Sequence, residues 1–147
     1  MHSFRETRIM PYKADLISQI IMDIEKYPEF LPWCQKARII LQNDDFLTAE
    51  LCVEFKGFTE SYVSKVTKNT KSGEHYIEVV AISGPFKLLK NIWSIKQLDN
   101  GAEVDFSIDF EFKSRILDVV IGMVFSTATE EMIGAFEARA DKLSSIV

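Results

Sequence analysis

Hydrophobic and polar residues alternate strictly along two stretches of the chain, and this alternation predicts β-strands. Residues 47–55 place Leu, Ala, Leu, Val and Phe at every second position, and residues 104–112 place Val, Phe, Ile, Phe and Phe in the same way. A period of two sends successive side chains to opposite faces of a strand. Both strands are therefore expected in an antiparallel sheet with one buried face and one face exposed to solvent.

Short turn signals divide residues 36–113 into six strands, which we expect to form an antiparallel meander. Within the last of these signals, Asn100-Gly101 is the strongest two-residue hairpin loop. His2 to Pro11 adds an earlier strand, so the sheet is predicted to have seven. The turn signals are Asn43-Asp44-Asp45, Lys56-Gly57, Asn69 to Gly73, Ser83-Gly84-Pro85 and Asp99-Asn100-Gly101.

The segment after the first strand predicts a helix followed by a stiff elbow. Apolar residues between Leu16 and Ile24 recur at helical spacing, which indicates an amphipathic helix that ends before Pro28. The elbow is Tyr27-Pro28-Glu29-Phe30-Leu31-Pro32-Trp33-Cys34. Pro28 suits the first position of a short helix, whereas Pro32 has no N–H and would clash with its continuation. The elbow's bulky side chains, Tyr27, Phe30, Leu31 and Trp33, cannot all point to one side of so short a segment, so part of this surface is expected to face a cavity or solvent.

The last part of the chain predicts a long helix. Ser114 is a suitable N-cap, and we expect one continuous helix of about thirty residues that reaches Ser144. The alternative is a kink or restart at Thr127, which forms a capping-box pattern with Glu130. Residues 116–125 are apolar nearly all round, yet this run is shorter than the roughly twenty residues that cross a bilayer. Burial on all sides, a lid over a cavity and shallow insertion into a membrane interface are its three possible roles.

The predicted order of elements is β-α-α-β-β-β-β-β-β-α. It corresponds to an α+β fold in which a seven-stranded curved antiparallel sheet surrounds a long C-terminal helix. A twisted sheet of this kind curls, and one helix laid across the concave side leaves part of the trough unfilled. The chain has 147 residues, of which 47% are hydrophobic, so we expect a single domain over residues 1–147.

Charge and cysteine content narrow the range of partners and compartments. The net charge of −5 disfavours broad electrostatic binding of nucleic acid, so no DNA partner is expected. Cys34 and Cys52 lack the spacing of metal ligands and are expected to be reduced thiols. Arg5, Glu6 and Arg8 interrupt the first residues, which is untypical of a signal or transit peptide. We therefore expect a cytoplasmic protein.

The sequence offers no group of residues that predicts catalysis or metal binding. His75 lies on a strand beside a polar turn, where an exposed or locally bonded imidazole is the expected state. Cys34 is the better of the two cysteines for reactivity, although such residues more often act as small buried hydrophobes. Asp105, Asp109 and Glu111 form a solvated row on one strand face. We expect no catalytic residue and no metal ion.

Several motifs occur in the order and spacing of one known family. They are Tyr27 to Cys34, Phe55 to Tyr62, the Gly84-Pro85-Phe86 turn leading to Trp93, Val104 to Phe112, and Met132 to Ala140. With the element order, they resemble the helix-grip fold of the START and birch-pollen-allergen superfamily. Within it, the chain is similar to the coenzyme Q-binding START proteins and the bacterial ribosome association toxin RatA group. The likeness covers nearly the whole chain, and the elbow is its most specific motif.

The resemblance implies a START-like lipid-binding domain without enzymatic activity. Its ligand would be ubiquinone or a related polyprenyl quinone precursor, and its role would be to support respiratory electron transport. It would be found in the cytoplasm and at the surface of the inner membrane. Two alternatives stay open. One is a RatA-type toxin that binds the large ribosomal subunit and blocks subunit association. The other is a cyclase or aromatase, which rests on fold analogy alone. Composition and spacing show none of these activities.

The side chains expected to line the pocket come from the elbow, the strands and the last helix. For each of them plain core packing is the alternative. The hydroxyl of Tyr62 and the indole N–H of Trp93 need hydrogen-bond partners when buried, and a quinone carbonyl is one group that could supply such a bond. The full set is Tyr27, Phe30, Leu31, Trp33, Phe58, Tyr62, Trp93, Phe106, Phe110, Ile121 and Phe125.

Overall fold

The computed structural model of the chain describes residues 1–55 and 57–144. The strands are β1 (His2–Met10), β2 (Cys34–Gln42), β3 (Leu47–Phe55), β4 (Phe58–Lys71), β5 (Glu74–Ser83), β6 (Phe86–Leu98) and β7 (Gly101–Phe112). The helices are α1 (Ala14–Met22), α2 (Arg115–Gly122) and α3 (Phe125–Ser144), with a 3-10 helix at Ile24–Glu29 between α1 and β2.

The seven strands form one antiparallel sheet in the order β1-β7-β6-β5-β4-β3-β2. This confirms the predicted α+β architecture and the meander of six strands. The first strand joins the sheet beside the last one, with His2 opposite Phe110 and Met10 opposite Ala102. α1 and α3 pack against each other and against the sheet, so the core lies between these helices and one sheet face.

The hairpin before β7 differs from the prediction by one residue. Leu98 pairs with Gly101, so the two-residue loop is Asp99-Asn100 instead of Asn100-Gly101. Gly101 already belongs to β7 and has a φ of +152°, and a Cβ there would lie 2.4 Å from the Met10 carbonyl oxygen. The glycine is therefore required by the close approach of β1 and not by the loop.

The turns on either side of β4 contain two further signals. β4 continues to Lys71, so the turn predicted from Asn69 is confined to its last residues, Ser72 and Gly73. Of the Lys56-Gly57 signal, Lys56 lies outside the described residues. Gly57 has a φ of +84°, which is typical of glycine in a tight turn.

The elbow forms, but Pro28 does not start its helix. Pro28 is the fifth of the six residues in the 3-10 helix, so the predicted first position is wrong. After it, the N–H groups of Phe30 and Leu31 donate to the Tyr27 carbonyl at 3.1 and 2.8 Å, and that of Cys34 donates to Leu31 at 3.1 Å. These consecutive turns bury the Leu31 side chain and carry the chain directly into β2.

The C-terminal part of the chain forms two helices instead of the single helix that we predicted. The N-cap is as expected, since the Ser114 hydroxyl accepts from the Leu117 N–H at 3.2 Å. The first helix ends at Gly122, a residue of low helix propensity, where a Cβ would lie 2.6 Å from Cε1 of His2. The second begins when the Ala128 N–H donates to the Val124 carbonyl at 2.9 Å. The restart therefore precedes the predicted alternative at Thr127.

Candidate ligand-binding cavity

A cavity of ≈ 220 Å³ lies between the concave sheet face, the elbow, α2 and the first half of α3. Its lining includes Trp93 and Phe136 from the main core and Leu89, Phe110 and Phe125 from a smaller hydrophobic cluster. The break between α2 and α3 lets α2 lie over the end of β7 while α3 continues along the sheet. One straight helix would not follow both surfaces, so the break contributes to the shape of the cavity.

Most of the pocket residues predicted from the sequence do surround this cavity. Those in its lining are Tyr27, Leu31, Trp33, Tyr62, Trp93, Phe110, Ile121 and Phe125. The elbow contributes to one wall, β4, β6 and β7 to the floor, and α2 and α3 to the cover.

Phe30, Phe58 and Phe106 were predicted to line the pocket, and the structure places them outside its lining. The Phe30 ring packs edge-on against Phe136 at 5.2 Å and lies under the guanidinium of Arg139. The Phe106 ring packs edge-on against Trp93, with 4.7 Å between the ring centroids. Phe58 is half-buried at the start of β4. The rings of Phe30 and Phe106 belong to the core and pack behind Phe136 and Trp93, which line the cavity.

The elbow is fixed to α3 by charge as well as by packing. Arg139 donates to the Glu29 carboxylate at 3.0 Å and lowers the pKa of that carboxyl. Phe136, one turn earlier on α3, contacts the Tyr27 ring at 5.4 Å. The Tyr27 hydroxyl in turn donates to the Ile21 carbonyl. These contacts hold the elbow at one side of the cavity.

Several lining residues were missed by the sequence reasoning. Among them are three polar residues, Ser64, Asn91 and Thr129, and the aromatic residues Phe86, Phe112 and Phe136. Ser64 follows Tyr62 by two positions on β4, and Asn91 precedes Trp93 by two positions on β6. Each pair therefore shares one face of its strand. The period of two, extended from those predicted residues, would have found both. Phe136 is part of the apolar stripe on α3, and the sequence does not indicate which residues of that stripe face a cavity.

The Trp93 indole N–H finds its hydrogen-bond partner within the protein and therefore needs no quinone carbonyl. Its Nε1 donates to Asn91 Oδ1 at 2.9 Å, and Asn91 Nδ2 donates to the Ser107 carbonyl at 2.8 Å. This short chain of hydrogen bonds fixes the indole plane within the cavity wall. In contrast, the Tyr62 hydroxyl makes no hydrogen bond with any residue in the described part of the chain.

The electrostatic character of the cavity is neutral. Within residues 1–55 and 57–144, no Asp, Glu, Lys, Arg or His side chain belongs to the lining. Burial raises the pKa of both lining tyrosines, Tyr27 and Tyr62, above their ordinary range. At neutral pH the lining therefore carries no group that readily gains or loses a proton, and its chemistry favours binding of an apolar molecule.

The other titratable candidates are engaged elsewhere. His75 is buried, with Nε2 2.6 Å from Asp15 Oδ1 and Nδ1 3.0 Å from Thr70 Oγ1, and so connects β5 to α1. Among the residues that the structure describes, no cluster of His, Cys, Asp and Glu could hold a metal ion. In the same residues no helix is both long and apolar enough to cross a membrane.

Cys34 is expected to resist alkylation in the folded protein. Burial raises the pKa of its thiol to about 11, so at pH 8 on the order of one thiol in a thousand is ionised. We expect the Cys52→Ser variant, which keeps only Cys34, to react with iodoacetamide in urea and hardly at all when native. The Cys34→Ser variant is the control. Fast labelling of native Cys52→Ser, followed by mass spectrometry, would contradict the assignment of Cys34 as an inert core residue.

These features define a class of protein, a helix-grip domain that encloses an apolar cavity between its curved sheet and its C-terminal helices. Residues 10–137 match the family described as "Polyketide cyclase / dehydrase and lipid transport", and the chain belongs to that family. A START superfamily protein from Mycobacterium smegmatis has the same fold, with a TM-score of 0.81, 20% identity and coverage of 97% of this chain and 99% of that one.

Curated relatives confirm the more specific resemblance. The chain is 45% identical over 144 residues to a ribosome association toxin RatA of Rickettsia prowazekii, which covers 97% of this chain and 99% of the relative. It is 31% identical to the mitochondrial coenzyme Q-binding protein coq10 of Schizosaccharomyces pombe, over 95% of this chain and 87% of that protein. The two names point to different functions, so the names alone do not decide between them.

Proposed function

We propose that this protein is a non-enzymatic carrier or chaperone for ubiquinone or a related polyprenyl quinone precursor, and that it supports respiratory electron transport. The observation that carries this proposal is the uncharged cavity of ≈ 220 Å³ beneath α2. A relative named as a coenzyme Q-binding protein supports the choice of quinone. The lining favours binding over the cyclase or aromatase alternative, because cyclisation and aromatisation require groups that move protons.

The size of the cavity bears on how a long ligand would bind. Pockets for drug-sized molecules are roughly 300–1,000 Å³, so this one takes a compact head or a short part of a chain. A polyprenyl tail would then leave between α2 and the sheet. Ile121 and Val124 are half-buried at the cavity cover and would contact such a tail along its path.

The outer face of α2 supports a position at a membrane surface. Ile116, Val119 and Met123 are exposed there, although apolar side chains of this size are usually buried. Lys113 and Arg115 are exposed at the start of α2 and form no ion pair with any described residue. Apolar residues flanked by basic ones are typical of shallow insertion among anionic lipids. We propose that α2 contacts the inner membrane while the ligand enters or leaves.

The decisive test is mass spectrometry of the organic extract from protein purified without detergent out of a ubiquinone-producing bacterium. We expect close to one quinone or precursor per chain. Val79 lines the cavity and Val80 points away from it on the same strand. The Val79→Phe variant should therefore lose the ligand, whereas Val80→Phe should keep it. An extract from the unaltered protein that holds no quinone, or only general phospholipid, would overturn the proposal.

A second candidate is a ribosome-directed inhibitor that binds the large subunit and blocks subunit association. The observation that favours it is the 45% identity to a relative named as a ribosome association toxin. It requires co-sedimentation with large subunits, weakened by salt, and growth arrest on overexpression. Both effects should persist in the Val79→Phe variant if this activity is independent of the cavity. Absence of both effects in the unaltered protein would remove this candidate.

A further inference from the structure

Ser64 is an unpaired polar group in the cavity wall. Its side chain lines the cavity, the residue is 1% exposed, and its hydroxyl has no hydrogen-bond partner among the described residues. A buried hydroxyl without a partner costs free energy, and for that reason buried polar side chains in proteins are nearly always hydrogen-bonded. The position of Ser64 therefore points to a partner that occupies the cavity.

A second residue with a hydroxyl, Tyr62, lines the same cavity. Tyr62 precedes Ser64 by two residues on β4, so both side chains point from the same sheet face into the cavity. The Tyr62 ring is held edge-on by Phe86 at 5.0 Å, and its hydroxyl is likewise unpaired within the described residues. Two residues with hydroxyl groups thus belong to the same wall of the cavity.

Asn91 adds a donor from the neighbouring part of the sheet. Asn91 pairs with Val79 on β5, which pairs with Val66 on β4. Val66 follows Ser64 by two residues, so it lies on the same face of β4. The Oδ1 of Asn91 accepts from Trp93 and one N–H donates to Ser107, which leaves a second N–H on Nδ2. This wall therefore offers one N–H donor and two hydroxyls, each of which can donate or accept a hydrogen bond.

The absence of charge from the described lining restricts what these donors would bind. An ionised phosphate or carboxylate in this cavity would lose its hydration and find no cation in return, which is strongly unfavourable. A neutral oxygen loses far less on burial and would satisfy the hydroxyl donors. The arrangement thus discriminates against phospholipid headgroups and free fatty acids.

From this geometry we propose that Ser64 and Tyr62 form a polar anchor that hydrogen-bonds an uncharged oxygen, a ring carbonyl or its reduced hydroxyl, on the head of the ligand. This inference rests on the proposed function and deepens it. The head lies against β4 inside the cavity, and the apolar remainder points towards α2. Ser64 and Tyr62 thereby select the chemical class of the ligand, and the apolar walls supply most of the affinity.

The test compares two probes that differ in their oxygens, a ubiquinone with a ten-carbon saturated tail and decylbenzene, by calorimetric titration at neutral pH. Ser64→Ala is expected to weaken binding of the quinone about five- to tenfold and to leave binding of decylbenzene unchanged. Tyr62→Phe should have a similar effect. Ser18→Ala is the matched control, because the Ser18 hydroxyl is also buried and unpaired in the described structure but lies in α1 outside the cavity lining.

The possible outcomes separate the anchor from the proposed function. Equal weakening for both probes in Ser64→Ala would show a packing effect and overturn the anchor. Unchanged quinone affinity in both Ser64→Ala and Tyr62→Phe would also overturn it and would leave the carrier function standing. Dodecanoate that binds as tightly as the quinone would contradict the selection for an uncharged head. If the unaltered protein binds neither the quinone nor decylbenzene, the proposed function fails, and the anchor fails with it.

Discussion

Replacement of both Val119 and Met123 by aspartate is expected to abolish binding of the protein to vesicles that contain phosphatidylglycerol. Val119 on α2 is 55% exposed and Met123, directly after α2, is 79% exposed; both are outside the cavity lining, so their replacement leaves the core intact. Full burial of an apolar side chain of this size contributes about 1.5–3 kcal/mol. Loss of both contacts, with the added cost of bringing aspartate to the bilayer, should weaken binding roughly a hundredfold or more. Flotation with vesicles measures the effect.

The control for this experiment is Ile9→Asp. Ile9 is similarly exposed, at 59%, but it lies at the far end of β1 from α2. The other end of β1 holds His2, which lies against Gly122 at the end of α2. The Ile9→Asp variant should bind vesicles like the unaltered protein. Arg115→Glu should weaken binding to anionic vesicles and reduce its dependence on salt, since the basic residue acts through charge. Unchanged binding by the double aspartate variant would mean that α2 is not the membrane-contacting surface.

Phe136→Ala is expected to cause the largest loss of stability among the substitutions considered. The Phe136 ring contacts Tyr27, Phe30 and Trp93, with ring centroids 5.4, 5.2 and 5.1 Å away. Truncation of a buried phenylalanine costs about 3–5 kcal/mol, because apolar contacts are lost and a hole remains. For a chain of this length that corresponds to a fall in melting temperature of about 10 °C or more. Urea denaturation measures the free energy of unfolding.

The functional consequence of Phe136→Ala follows from its place between elbow and cavity. Removal of this ring leaves the elbow without its main contact on α3, so quinone retention should fall together with stability. Phe136→Leu keeps most of the volume and should cost less than about 2 kcal/mol, with the ligand retained. Phe58→Ala is a second control, because Phe58 is half-buried and outside the cavity lining. Equal destabilisation by Phe136→Ala and Phe58→Ala would contradict the central role of Phe136.

Much of the fold was predictable because its signals are local. The alternation in residues 47–55 and 104–112 fixes which side chains face inward, and turn residues between strands fix where the meander reverses. The errors arise where contacts between distant parts of the chain override a local signal. Asn100-Gly101 was chosen as a hairpin loop for its turn propensity, but Gly101 is needed for the approach of Met10. The continuous last helix failed at Gly122, whose neighbour in space is His2, 120 positions earlier in the sequence.

Prediction of the cavity lining was less complete, for a physical reason. Burial and exposure to an internal cavity give the same hydrophobic signal in a sequence, so Phe106 and Phe110 look alike, although only Phe110 lies in the lining. The sequence marks Trp93 as a residue that needs a polar partner, yet it does not reveal that Asn91 supplies one. Ser64 was overlooked because a lone serine on a strand gives no sign that its hydroxyl is buried.

The strand pattern, the proline elbow, the apolar start of the last helical region and the family resemblance follow from the sequence alone, since each depends on neighbouring residues. Three features became known from the folded chain: β1 closes the sheet beside β7, the last helix breaks to cover a cavity, and Ser64 and Tyr62 line that cavity without partners among the described residues. These features depend on contacts between residues far apart in the chain. Such contacts are selected by packing and by hydrogen-bond satisfaction in the folded molecule, and no local pattern encodes them.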